Sequence, residues 1–136
     1  PGGRLGKKML RVRDLMKAGE ALPSVTPEAK IPDVIYEISK KGLGMTTVLH
    51  ADGRLAGIIT DGDLRRLMQQ RRGESFELAA RECLTPKPVT IASGEFASSA
   101  LHLMEQRKIT AIVAVDGDQR VVGVLHLHDL WTLELF

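Results

Sequence analysis

Thr60-Asp61-Gly62-Asp63 and His126-Leu127-His128-Asp129 are the stretches of this 136-residue chain whose residue types and spacing suit ligand chemistry. In the first, a hydroxyl and a carboxylate stand three residues apart, where the β-rich run Leu55 to Thr60 gives way to the helical spacing of Leu64, Leu67 and Met68. Such a pair satisfies the exposed amides of a helix start, each side chain accepting from the other residue's backbone. The same pair also suits a ribonucleotide: the Asp63 carboxylate can accept both vicinal ribose hydroxyls, while the Thr60 hydroxyl and adjacent amides take phosphate. Gly62 lets the backbone approach a ligand or turn sharply. One such corner taken alone favours the cap.

Repetition shifts the balance toward a ligand. Displacing the chain by 66 positions lays Gly57, Asp63 and Leu64 over Gly123, Asp129 and Leu130. Asp52 and Arg54 then meet Asp118 and Arg120, and Met45-Thr46-Thr47-Val48-Leu49 meets Ala111-Ile112-Val113-Ala114-Val115. Two strand-to-helix corners in a pseudo-twofold unit are expected to face a shared cleft. In the second corner His126 replaces the Thr hydroxyl with an imidazole able to donate to a phosphate or carboxylate oxygen. Arg66, of the adjacent pair Arg65 and Arg66, is the candidate to reach an anionic ligand, and His128 is the second imidazole of the His corner. His126, His128 and Asp129, with His50 and His102 elsewhere, are possible metal ligands, but no Cys or Glu completes a zinc spacing and no metal is expected. Neither Cys83 nor any Ser lies in a nucleophile motif.

The elements that position these residues follow from periodicity. Leu22 to Val25 reads as extended, Ile31, Val34, Ile35 and Ile38 share one helical face with Pro32 in its first turn, and Gly42 and Gly44 end that helix. Met45 to His50 and Leu55 to Thr60 flank the turn Ala51-Asp52-Gly53-Arg54 as a hairpin. The order repeats: Val89 to Ile91 extended, a helix from Phe96 through Met104, strands Ile109 to Val115 and Val121 to His126, and a last helix carrying Leu130 and Leu133. Short helical pieces at Val12 to Met16 and Arg81 to Leu84 precede the copies, and the polar run Gln69 to Glu77 connects them. The expected fold class is α/β (α+β), two β-α-β-β-α repeats packed as one pseudo-twofold module. A lone copy of about 60 residues would have a marginal core.

Composition narrows the function classes. A formal charge of +2 gives no polyanion signature, so no nucleic-acid partner is expected, and the basic start, Arg4, Lys7, Lys8, Arg11 and Arg13, suits a domain junction equally well. One cysteine excludes an internal disulfide and points to a reducing compartment, the cytoplasm. No apolar stretch approaches a bilayer span, so no membrane is expected. Trp131, the single Trp, beside Leu130 and Leu133, suits a packing or oligomer contact. Pro1 with the Gly pair behind it predicts a cut inside a linker.

Gly57-Ile58-Ile59-Thr60-Asp61-Gly62-Asp63-Leu64-Arg65-Arg66, within a repeated unit of this length, resembles the CBS domain, and the pair resembles a tandem CBS module. That family commonly senses adenosyl or other nucleotides through a Gly-apolar-apolar-Thr/Ser-x-x-Asp motif. The resemblance implies that Thr60 is the phosphate-side hydroxyl, Asp63 the ribose carboxylate, and Asp129 the second carboxylate, with His126 departing from the Ser/Thr position. The start PGGRLGKKML with RVRDLM, and the ending GVLHLHDL, resemble the arabinose 5-phosphate isomerases at and beyond the junction of sugar isomerase domain and CBS pair. This likeness implies a linker over 1–11, repeats over 12–72 and 79–136, and a parent that interconverts D-ribulose 5-phosphate and D-arabinose 5-phosphate toward Kdo and lipopolysaccharide. The catalytic residues would lie outside these 136 residues, so the chain itself is not expected to be an enzyme. The expected role is regulatory, with CMP-Kdo as candidate effector and AMP or ATP as the alternative. Met45, Thr46, Thr110 and Ala111 are candidates to line the base or sugar pocket. The expected partners are the sugar isomerase domain and a second copy of the chain, and the rival reading is an oligomerisation module without a ligand.

Overall fold

The computed structural model describes residues 9–131. In chain order its helices are α1 (Val12–Leu15), α2 (Ile31–Lys41), α3 (Asp61–Arg71), α4 (Ala80–Cys83), α5 (Ala97–Arg107) and α6 (Leu127–Trp131). Its strands are β1 (Ser24–Val25), β2 (Met45–Leu49), β3 (Leu55–Thr60), β4 (Thr90–Ala92), β5 (Ala111–Val115) and β6 (Val121–His126). The chain divides into two compact units, Pro23–Pro88 and the pair of segments Pro1–Leu22 with Val89–Phe136. They are called here the Thr60 unit and the His126 unit.

In the Thr60 unit, β2 pairs in parallel with β1 and antiparallel with β3, so Met45 faces Thr60 and Thr47 faces Ile58. Residues 45–48 are buried, which suits the central strand of a three-stranded sheet. Helix α2 turns Ile31, Val34 and Ile38 onto that sheet, starts with Pro32 in its first turn, and stops at Gly42, whose left-handed backbone (φ 75°) returns its N–H to the Ile38 carbonyl. Val48, Ile59, Leu64 and Ala80 complete the core. The His126 unit repeats the plan: β5 lies between β4 and β6, with Ala111 opposite His126, and Ile112, Leu125, Met104, Leu130 and Val12 meet in its core. Both hairpins shift register at the same place, after Val48 and after Ala114.

Each unit contains a short helix that sequence order would assign to the other repeat. Val12 of α1 is buried in the His126 core, where its N–H donates to the Glu95 carbonyl (2.9 Å) and Leu10 accepts from Ala97 (2.8 Å). Ala80 of α4 is buried in the Thr60 core, and its N–H donates to Ala29 (2.7 Å). The pieces before the two repeats are therefore exchanged. Hydrophobic periodicity gave no sign of this, because it records that a helix has an apolar face but not which sheet covers that face.

The hairpins stand where the Asp-Gly turn and its counterpart were expected, with β2 ending at Leu49 and β5 beginning at Ala111. The polar run Gln69 to Glu77 is not an open connection. Helix α3 continues to Arg71, and a 3-10 turn spans Arg72–Glu77 with Ser75 buried and its hydroxyl donating to the Arg72 carbonyl (2.7 Å). Arg and Gln are good helix formers, so polarity alone was a poor sign of a loop here. Arg4, Lys7, Lys8 and Leu133 lie outside the described residues.

Candidate ligand-binding corners

At the β3–α3 junction Thr60 and Asp63 form a reciprocal cap. The Thr60 hydroxyl accepts from the Asp63 N–H (3.1 Å), and Asp63 Oδ2 accepts from the Thr60 N–H (2.9 Å). The other carboxylate oxygen, Oδ1, takes Arg66 Nη2 at 2.6 Å. A further contact comes from the segment after α4: the Thr85 hydroxyl donates to Asp63 Oδ2 at 3.4 Å. Met45 stands opposite Thr60 in the sheet and is buried; Thr46 beside it is fully buried, with its hydroxyl donating to the Thr47 carbonyl (3.0 Å). The side chain of Asp63 is 15% exposed and that of Arg66 65%, so the carboxylate is held in place while the cation paired directly with it stands mostly in solvent.

The second corner keeps this plan with other chemistry. Asp129 Oδ2 accepts from the His126 N–H (3.0 Å), and Asp129 Oδ1 pairs with Lys17 Nζ at 3.2 Å. Imidazole replaces hydroxyl as the capping acceptor, since His126 Nδ1 accepts the N–H of His128 at 3.1 Å. An accepting Nδ1 places the proton of the neutral ring on Nε2, which remains a donor. The His126 ring lies 4.6 Å from the His128 ring, and His128 lies 4.6 Å from Trp131. Burial, then the neighbouring His128 charge and Lys17, hold the His126 pKa below its ordinary value against the opposing pull of Asp129. Thr110 is exposed and its carbonyl accepts the N–H of Leu127 (2.8 Å), as Gly44 accepts from Asp61 (3.0 Å) in the other unit; Ala111 faces His126.

Thr85 and Lys17 thus hold equivalent places. Each exchanges two backbone hydrogen bonds with a strand, Thr85 with Ile58 (2.8 and 3.1 Å) and Lys17 with Val124 (2.8 and 3.0 Å), and each sends its side chain to the corner carboxylate. Their signal lay in Arg81-Glu82-Cys83-Leu84-Thr85 against Arg13-Asp14-Leu15-Met16-Lys17, aligned by a shift of 68 rather than 66, so one constant displacement misses the pair. The close approach requires Gly57 and Gly123. A Cβ at Gly57 would lie 2.5 Å from the Thr85 carbonyl oxygen, and one at Gly123 would lie 2.8 Å from that of Lys17. The glycine of the repeated motif therefore admits the segment that completes the carboxylate's surroundings.

Of the expected site residues, Thr60, Asp63, Arg66 and Met45 meet around one corner, and His126, His128, Asp129 and Ala111 around the other. Among the described residues no group of three or more His, Cys, Asp or Glu is placed to hold a metal ion. Burial, with Glu82 adding to it, pushes the Cys83 thiol up, which makes it a poorer nucleophile. No described helix is long and apolar enough to cross a membrane. Thr60→Ala removes a capping hydroxyl and is expected to cost about 1 kcal/mol, read as a lowered denaturant midpoint with an unchanged slope.

Two α/β units, each with a Gly-apolar-apolar-Thr/His-x-x-Asp corner, define a paired module of the kind that presents two carboxylate-bearing helix starts. The chain belongs to the CBS domain family, whose model matches residues 10–70 and 80–130. It is 44% identical over 131 residues to the arabinose 5-phosphate isomerase KdsD of Salmonella typhi, and equally to that of Pseudomonas aeruginosa. These matches cover 96% of this chain but 39% and 40% of those relatives, so the chain spans about two fifths of their length. Among solved structures it is similar to CBSX2 in complex with AMP (TM-score 0.80, 22% identity, 93% of this chain and 96% of that one). It is also similar to the CBS domain pair of MJ0100 in complex with 5'-methylthioadenosine and S-adenosyl-L-methionine (TM-score 0.79, 21% identity, 93% and 96%).

Proposed function

We propose that the chain is the regulatory CBS pair of an arabinose 5-phosphate isomerase and binds a nucleotide or nucleotide sugar at its corners, altering the attached sugar isomerase domain. The observation that carries this reading is the division of labour on Asp63. Its Oδ2 caps α3, whereas its Oδ1, among the described residues, holds the exposed Arg66 alone, a contact a ribose diol can displace at small cost because exposed ion pairs contribute little. Asp129 is arranged likewise, with Oδ2 on the cap and Oδ1 toward Lys17. Thr60, or His126 through its Nε2–H, would take phosphate or carboxylate; Met45, Thr46, Thr110 and Ala111 are proposed for the base or sugar side. Support from outside the chain is the identity to KdsD and the adenosine compounds bound by CBSX2 and MJ0100.

The proposed effector is CMP-Kdo, which joins a ribose diol, a phosphate and a carboxylate and would report the output of Kdo and lipopolysaccharide synthesis; AMP or ATP is the alternative. Regulation requires the effector to bind two conformations of the module unequally. The proposed setting is a cytoplasmic homo-oligomer of the parent isomerase, and the chain alone is expected to turn over no D-arabinose 5-phosphate. A thermal-shift panel of CMP-Kdo, CMP, AMP and ATP tests this: a ligand at a hundred times its Kd stabilises the folded chain by about 2.7 kcal/mol, and no shift with any of the four contradicts the reading.

A second reading is favoured by the same hydrogen bonds. Every polar contact of Thr60 and Asp63 has a structural use, so the corners would be caps and the module would join subunits, with Met68, Phe76 and Trp131 as exposed apolar side chains. A concentration-dependent mass with a flat ligand panel is the outcome it predicts.

A further inference from the structure

We propose that His126 makes the second corner a pH-responsive cap, closed while its imidazole is neutral and released when Nδ1 is protonated, whereas the Thr60 corner has no such response. The two caps occupy the same position in the repeat, but the acceptor for the helix amide is a hydroxyl in one and an imidazole lone pair in the other. A hydroxyl accepts at any pH near neutrality. Protonated Nδ1 has no lone pair left to offer, so the His128 N–H loses its acceptor and two N–H donors face each other.

The surroundings favour release over tolerance of the charge. Among the described residues the groups facing His126 are His128 and Asp129 from α6, which follows it, and Lys17 from the segment after α1; β5 places Ala111 opposite it. His128 is in ring contact and Lys17 is cationic, which leaves Asp129 as the single anion facing it among the described residues, and its Oδ1 is already paired with Lys17. Burial adds to the cost of the imidazolium. The folded chain therefore binds this proton less well than the unfolded chain. Stability from His126 is fully present above the ordinary 6.5 of histidine and is lost as pH falls below it, through the folded value. The release acts where Asp129 and Lys17 join α6 to the segment after α1, so acidification loosens the surroundings of one carboxylate and leaves Asp63 untouched. This holds whether or not a ligand binds.

The test is an NMR titration of the histidines of the whole chain, combined with melting of the native chain, His126→Thr and His126→Asn between about pH 7.5 and about pH 5.5. Thr and Asn are caps that do not titrate. Expected are a His126 midpoint below 6.5, an Nε2–H tautomer above it, and a larger fall in Tm for the native chain than for either variant. A His126 midpoint at or above 6.5, a proton on Nδ1 at neutral pH, or parallel Tm profiles would overturn the proposal. If neither variant folds, the midpoint and tautomer of the native chain still decide it.

Discussion

Gly57→Ala is expected to lower stability by about 1–3 kcal/mol, the range for forcing an added methyl into packed surroundings. The new Cβ would sit 2.5 Å from the Thr85 carbonyl oxygen and 2.8 Å from Leu84 Cδ1. The leucine methyl can swing aside, but the Thr85 oxygen accepts the Ile58 N–H at 3.1 Å and cannot retreat without breaking that bond. Thr85 would then also leave Asp63. Gly73→Ala and Gly117→Ala are suitable controls, because nothing lies within 4 Å of their Cβ positions. Urea unfolding of the three variants checks this; equal midpoints for Gly57→Ala and the controls would remove the role assigned to the motif glycine.

The largest loss is expected from Leu130→Ala, about 2–5 kcal/mol, the range for emptying a buried leucine site. Leu130 is fully buried with Val12, Met104 and Leu125, one residue beyond Asp129. It anchors α6, so its removal leaves the His126–Asp129 cap attached to a helix without its main apolar contact. Trp131→Ala, one position further and at a side chain 49% exposed, is expected to cost less than about 1 kcal/mol. The two variants side by side in denaturant unfolding separate burial from mere membership of the helix.

Much of this arrangement was legible from the residues alone. The β-rich run Leu55 to Thr60, the spacing of Ile31, Val34 and Ile38, and Gly42 behind them specify elements whose burial is local, and each stands where its pattern put it. The cap was legible as well, because Thr60 and Asp63 lie three apart and bond each other. What escaped has a common cause. Thr85 meets Asp63 across 22 positions and Lys17 meets Asp129 through the packing of α1 on the later repeat, and neither pairing leaves a trace in local periodicity. His126 was readable as a donor to a ligand, but its use of Nδ1 as an acceptor depends on the turn of the ring toward the His128 amide. The exchange of α1 and α4 between the repeats likewise follows from packing, where Val12 and Ala80 fill cores that sequence order does not assign to them.

Calorimetric titration of AMP and CMP-Kdo into the native chain, Arg66→Ala and Asp63→Ala tests most directly whether the corners are ligand sites. The native chain is expected to bind at least one of the two, Arg66→Ala to retain binding because it only vacates Oδ1, and Asp63→Ala to lose binding at that corner at a stability cost of about 1 kcal/mol. Absence of heat from both ligands with the folded native chain, or unchanged binding and stoichiometry in a folded Asp63→Ala, would contradict the account and leave the corner as a cap.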